Sequence, residues 1–383
     1  MGGITNHVDN ISKNLIGSGN QVTIVCPKNI LSQSKLSYSD NIRVERVPSI
    51  FMNDWPYQTL KSISFPIDAG KKIRNVIRKF NPDIIHVHGH HYPLSWTAIY
   101  YANKYDIPCI LTLHGMYALN PKSIGGKSFL EELFNKLIFT RIIRKTDAVI
   151  GLTRTITEYA MRYGRNSSKY YTVANGVDTR LFYLNQRMKL EYRRLYGIRE
   201  KSIVIIFRGR FEHVKGILEF TVSMRKLLDL FKDKVEVVIV GEGSLRDEVI
   251  TSLSGVDGAH VYDWQPRERV HELYIASDIF VIPSKFEALP ITVIEAMNSS
   301  LHIVYTPVGG IPDILHKYSA KTILRNGTPE EIQSVLKQLI ESGISSPDQV
   351  SLAYAREYDW VGITKSLINV YDSVIRDYHE QNE

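Results

Sequence analysis

Sulfur and long apolar runs are what this sequence has least of. Only Cys26 and Cys109 occur among its 383 residues, too few for a disulfide framework or a thiolate zinc site, which fits a reducing cytoplasm. No apolar run reaches the roughly 18 residues that a spanning helix needs, and the opening MGGITNHVDNISK lacks the basic and then apolar layout of a secretory leader. The dinucleotide fingerprint is incomplete, because Arg246 stands where GEGSLR would need its third glycine. There is no short-period repeat and no recognisable nucleic-acid module. These absences argue against a membrane-spanning protein, a disulfide-stapled secreted domain, a Rossmann oxidoreductase and a nucleic-acid binder.

What is present suffices for two ordinary domains: 44% of the residues are hydrophobic and 23% charged, over a length that supports two cores. The net charge of +7 is unevenly placed. Residues 1–180 hold 23 Lys and Arg against 12 Asp and Glu, a net +11, which leaves −4 on the remainder. A basic half suits an anionic membrane face or an acidic substrate, and equally a merely solvated surface.

Short apolar runs alternate with longer amphipathic stretches throughout: QVTIVCP, DIIHVHG, PCILTLHG and DAVIGLT, then SIVIIFRG, VEVVIVGEG, DIFVIPS and HIVYTP. Runs so continuous in Val and Ile, closed by Gly, Pro or Ser, suit strands buried on both faces. With helical patterns between them they predict parallel α/β sheets, and the rhythm occurs twice. In such sheets ligands gather at the carboxyl ends of the strands. Most of the unusual polar residues follow strand ends here: His88 to His91, His114, Arg208 to Arg210, Gly241 to Gly243 and Ser284 to Glu287.

Three of these stretches suggest chemistry. RGRFEHVKGILEF places Arg210 and Lys215 before an apolar helical pattern, which reads as a phosphate site at a helix N-terminus or as two solvated cations on a loop. IVGEGSLRDEV supplies Gly241 and Gly243 between a strand and a helix, half of a nucleotide loop or a plain tight turn. PSKFEALPITVIEAM sets Glu287 at the mouth of a helix and Glu295 about a turn inside it. Such carboxylates accept sugar hydroxyls well, although each reads equally as a solvated helix charge.

Taken in order, GGITNHVDNISKNLIGSGNQVTIVCP, HVHG, TLHG, DAVIGLT, VANGVDTRLF, RGRFEHVKG, VGEGSLRDEV, ASDIFVIPSKFEALPITVIEAM and VGGIPDIL resemble the retaining glycosyltransferases of family 4 over nearly the whole chain. The resemblance implies the GT-B architecture, two Rossmann-like parallel-sheet domains facing across a cleft. An N-terminal acceptor-side domain is expected over 1–185, joined by a last helix at about 360–380, and a donor domain over 186–358. It implies an enzyme that moves a hexosyl unit from a UDP- or GDP-sugar to a hydroxyl acceptor with retention. Arg210 and Lys215 would hold the donor diphosphate, Glu295 the ribose hydroxyls, and Glu287 with Ala288, Leu289 and Pro290 the donor sugar. Gly2 and Gly3 would bring backbone to the diphosphate, beside the Gly241 and Gly243 loop, and His114 would reach the sugar near its reacting carbon. No metal or cofactor is implied, and no Asp-x-Asp pair occurs in the sequence.

IIHVHGHH invites a metal reading, since His86, His88 and His90 share one face of a regular strand. Nothing nearby completes a His-x-x-x-His helix pair. No metal site is therefore expected. His86 is placed against the sheet, and His88, His90 and His91 on the acceptor side.

Two departures from the resemblance matter. The glycine loop begins at Met1, without the strand that precedes it in relatives, so the first strand of the N-terminal domain is expected to be missing and the true start to lie upstream. Asp263, and NSSLHIV where relatives carry glycine, are lesser ones. For the acceptor, KKIRNVIRKF and KSFLEELFNKLIFTRIIRK mix cations with apolar residues at helical spacing. That pattern suits the anionic cytoplasmic face of a membrane, and hence a lipid-linked or cell-envelope acceptor, or else helices packed on a sheet. A non-catalytic partner subunit and a nucleotide-sugar epimerase are the rival readings.

Overall fold

The computed structural model describes residues 3–29, 39, 41–51, 64–116, 129–164, 169–182 and 185–382. The chain divides into two compact units, Met1–Asn175 with Trp360–Glu383, and Gly176–Asp359. The division falls at Asn175 and Gly176 rather than at the expected 185. Val177 bridges to Asp359, and Thr179 Oγ1 donates to the Asp359 carboxylate at 2.8 Å, so the segment after Asn175 is tied to the end of the second unit.

In the first unit, β1 (Thr23–Asn29) runs parallel to β2 (Arg43–Phe51), and β3 (Ser64–Pro66) adds to β2 antiparallel. A second sheet joins β4 (Ile85–His88), β5 (Cys109–Leu113), β6 (Ala148–Gly151) and β7 (Lys169–Thr172), all parallel. Val25 of β1 and Ile85 of β4 pack on one cluster with Ile73, Ile77 and Leu94. Val22 and Ile84 pack on another with Ile11, Leu15, Trp360 and Leu367. The two sheets thus share their covering layers, yet no ladder joins β1 to β4 among the described residues. Helix Gly3–Gly17 and the closing helix Trp360–Asn382 pack together over this region through the second cluster.

The second unit has one six-stranded sheet of β8 (Ile203–Arg208), β9 (Val235–Val240), β10 (Ala259–Tyr262), β11 (Ile279–Ile282), β12 (His302–Tyr305) and β13 (Lys321–Ile323). All pairs are parallel, in the order β10-β9-β8-β11-β12-β13. Every residue of β9, β11 and β12 is buried, as suits their largely apolar runs, and the polar exceptions are partnered: Glu236 with His260 and His302 with Thr322. Helix Ile217–Phe231 turns Phe220, Met224, Leu227 and Leu228 onto the sheet. The order reverses between β8 and β11, and a doubly wound sheet opens its ligand crevice at the carboxyl ends of the strands flanking that reversal. Arg208 to Lys215 follow β8, and Ser284 to Glu287 follow β11.

Candidate active site

Backbone hydrogen bonds zip the strand-end loops of the second unit together. Phe211 N donates to Glu242 O at 2.8 Å and Leu245 N to Phe211 O at 3.0 Å, while Lys285 N donates to Val214 O at 2.8 Å and Gly310 N to Ala288 O at 2.9 Å. Two glycines permit this closeness. A Cβ on Gly241 would lie 1.9 Å from Gly209 O, and one on Gly309, whose φ is +58°, would lie 1.7 Å from Glu287 O. Gly243 likewise abuts Phe211. The glycine loop therefore serves here as a close backbone contact that presents Arg210.

The charged residues picked from sequence meet in pairs. Lys215 Nζ lies 2.7 Å from Glu287 Oε1, with 18% and 9% of their side chains exposed, and Ser284 Oγ donates to the same oxygen at 2.8 Å. Arg210 is exposed. Lys215 is separated from helix Ile217–Phe231 only by Gly216, its N-cap. Leu289 and Pro290 are buried, so any ligand would meet their backbone. Glu295 stands in helix Ile291–Asn298 at 2% exposure. Its carboxylate accepts from Arg208 Nη1, an arginine to which sequence reading gave no role. Burial opposes the Arg208 charge, but Glu295 and Tyr274 more than offset it, so the guanidinium is held protonated more firmly than usual. Burial, with Glu295 close by, also pushes the Tyr274 phenol well up. Arg246, which stands in place of the fingerprint's third glycine, pairs with Asp263 at 2.7 Å.

In the first unit the histidine motif comes apart. His86 is fully engaged, Nδ1 with Tyr371 Oη and Nε2 with Thr112 Oγ1, both at 2.7 Å. His90 is 1% exposed and packs on Phe139, with ring centroids 4.5 Å apart. It therefore does not edge an open acceptor surface as expected. His88 lies against a candidate from a different strand end, its Nδ1 3.0 Å from His114 Nε2. His7 joins them from helix Gly3–Gly17, its ring 5.4 Å from His88 and 4.8 Å from His114. Its Nδ1 lies 2.5 Å from Asn175 Oδ1. No local pattern marked His7, because its partners follow strands more than 80 residues on. Gly3 opens the same helix, and Gly2 lies outside the described residues.

Burial holds all of these rings neutral. It lowers His7 to about 4 and His86 to about 3, and takes His88 and His114 well below the usual imidazole value, where neighbouring imidazoles push them further. A histidine depressed in the folded state binds its proton first in the unfolded chain. Stability is thus complete above about pH 6.5 and falls as pH drops toward the folded value. For His7 alone the loss approaches about 3 kcal/mol by pH 4. Denaturant midpoints at pH 7.5 and 4.5 should show this fall, and His7→Gln should flatten it.

The second unit's 3-2-1-4-5-6 parallel sheet is a Rossmann-like domain, and cations and carboxylates gather at its strand ends. Residues 1–181 match the model of Glycosyltransferase Family 4, and residues 188–356 that of Glycosyl transferases group 1. The phosphatidylinositol N-acetylglucosaminyltransferase GPI3 subunit of Saccharomyces cerevisiae is 24% identical over 98% of this chain and 80% of its own. Sucrose-phosphate synthase from Thermosynechococcus elongatus has the same fold, with TM-score 0.76 and 15% identity over 98% of this chain and 94% of its own. Anabaena Alr3699/HepE, solved with UDP and glucose, gives TM-score 0.71 and 14% identity over 97% and 96%. The chain belongs to glycosyltransferase family 4 and is a transferase enzyme.

Proposed function

We propose that the chain transfers a hexosyl unit from a nucleoside-diphosphate sugar to a hydroxyl acceptor, with retention and without a divalent metal. The bond from the anomeric carbon to the diphosphate oxygen breaks, and its electron pair leaves with the phosphate. The acceptor oxygen bonds to the anomeric carbon on the same face, and its proton passes to the departing phosphate. Negative charge therefore grows on the diphosphate and positive charge on the sugar. Arg210 and Lys215 stabilise the first, Glu287 and the Ala288 to Pro290 loop meet the sugar, and Glu295 accepts from the ribose diol. The resemblance also assigns His114 to the sugar and the backbone of Gly2 and Gly3 to the diphosphate.

The observation carrying this reading is the Lys215 and Glu287 pair, brought together at the carboxyl ends of β8 and β11. An entering diphosphate supplies Lys215 with a stronger anion and frees Glu287 for the sugar. Calorimetry with UDP, GDP and ADP and their sugars, in chelator and then in Mg²⁺, tests it beside Arg210→Ala. One diphosphate should bind in chelator, and the variant should lose it. No binding by the folded chain favours a partner subunit, and isomerised free sugar favours an epimerase.

The acceptor reading is membrane-derived, and the structure shifts its surface. Among the described residues no helix is long and apolar enough to cross a membrane. Helix Ala69–Phe80 buries Ile73 and Ile77 on the first unit's core, so its apolar side is spent there, and Lys72 pairs with Glu45 at 2.6 Å. The stretch 129–145 instead leaves Leu133, Leu137 and Ile138 exposed at 40%, 47% and 37%, beside exposed Lys136, Arg141, Arg144 and Lys145. Apolar anchors within a basic rim suit anionic lipid, and the yeast relative is named for phosphatidylinositol. Cosedimentation with anionic vesicles should fall several-fold for Leu133→Ser/Leu137→Ser. It should change little when Lys71, Lys72 and Arg74 are neutralised; the reverse result would move the contact back to that helix.

A further inference from the structure

We propose that His7, His88 and His114 form a binding site for a transition ion of the zinc class. The sequence points away from this, because the local trio His86, His88 and His90 is the obvious candidate set and it falls apart in the fold. The set that does assemble is drawn from three separate segments: helix Gly3–Gly17, the end of β4 and the residue after β5. One ligand atom from each of the three lies within 4.8 Å of the other two.

Three features make the set more than a crowd of rings. First, the ring-nitrogen partners suit ligation. Asn175 Oδ1 only accepts, so His7 Nδ1 carries the proton and its Nε2 keeps a lone pair for an ion. An amide oxygen holding the far nitrogen of a ligating imidazole is the usual supporting contact of such sites. Second, His88 Nδ1 and His114 Nε2 already face each other at 3.0 Å. Nitrogens on one zinc ion, each at about 2.0–2.1 Å from it, stand roughly 3.3 Å apart. A tautomer change with a small rotation of the two rings lets this pair offer two lone pairs to one ion, with no net proton released. Third, His86 cannot compete, since both its nitrogens are engaged. It backs His88 instead, ring to ring at 4.2 Å.

The donor set predicts the choice of ion. Three neutral imidazoles without a carboxylate suit Zn²⁺, Co²⁺, Ni²⁺ or Cu²⁺ and not Mg²⁺ or Ca²⁺, which take oxygen ligands. Three protein ligands leave a fourth position open to water or an anion. The site does not include the diphosphate cations Arg210 and Lys215, but it shares His114 with the proposed sugar position, so a bound ion is assigned no part in activating the donor and would compete with the sugar for that imidazole.

The test uses the full chain, freed of metal by chelator and returned to pH 7.5. Titration with ZnCl₂ should give one ion per chain, and MgCl₂ none. Co²⁺ added to the unaltered chain should give the intense visible band of a four-coordinate site, which reads the ligand geometry without any substitution. His7→Gln should weaken Zn²⁺ binding by at least tenfold and Asn175→Ala by a smaller factor, with circular dichroism confirming the fold of each. His260→Gln, a histidine of the second unit, should change nothing. Absence of Zn²⁺ binding, an octahedral Co²⁺ spectrum, or binding untouched by His7→Gln in a folded variant would each overturn the proposal. None of these readouts requires donor or acceptor, so failure here and failure of the transfer reading are separable.

Discussion

Lys215→Ala is expected to lower kcat/KM for sugar transfer by about 10²–10³-fold, the range seen when one preorganised group facing a developing oxyanion is removed. The loss should fall on kcat as well as KM, because the diphosphate carries more charge once the sugar bond has begun to break than when it binds. Stability should change little. Lys215 is partly exposed, and Glu287 keeps the Ser284 hydroxyl as a donor when its cation goes, so the folding cost is about 1–2 kcal/mol. Lys215→Arg should restore only part of the rate, since a planar fork replaces a point charge in a loop held by the Lys215 N to Glu212 O turn. Steady-state rates with the donor found by calorimetry, beside melting curves, check both halves. A folded Lys215→Ala enzyme with unchanged kcat/KM would remove Lys215 from the mechanism and leave Arg210 to carry the diphosphate.

The second unit was legible in sequence because its information is local. Most strands are largely apolar runs, each loop carries its own Gly or Pro, and the residues named for the donor, Arg210, Lys215, Glu287 and Glu295, lie on loops and helices that follow those runs. Two things were not legible. Arg208 is the last residue of β8, and only the sheet order sets β8 beside β11 and turns Arg208 onto a glutamate 87 positions on. The histidines failed for the complementary reason. Spacing grouped His86, His88 and His90, but Tyr371, Thr112 and Phe139 draw two of these away, and His7 arrives from a helix that no pattern linked to them. In both cases the missing information is which strand neighbours which.

Arg208→Ala should destabilise the second unit by about 3–5 kcal/mol, and Glu295→Ala by distinctly less. The pair is asymmetric: 23% of the Arg208 side chain is exposed against 3% for Glu295. Removing the glutamate leaves a half-buried guanidinium that still has the Tyr274 hydroxyl beside it. Removing the arginine leaves a carboxylate in the interior beside the neutral Tyr274 phenol, and an orphaned buried charge is what makes a broken buried pair costly. Replacing both at once, as Arg208→Met with Glu295→Leu, should recover most of the stability, because the cost lies in the unpaired charge rather than in the lost attraction. Donor binding separates structure from function. If Glu295 accepts from the ribose, Glu295→Ala and the double variant should both bind the diphosphate at least tenfold more weakly although the double variant is stable. If Glu295 serves only to neutralise Arg208, the double variant should bind as the unaltered chain does, and the ribose would need another acceptor. Urea midpoints for the three variants, with calorimetry at equal folded concentration, decide between these outcomes.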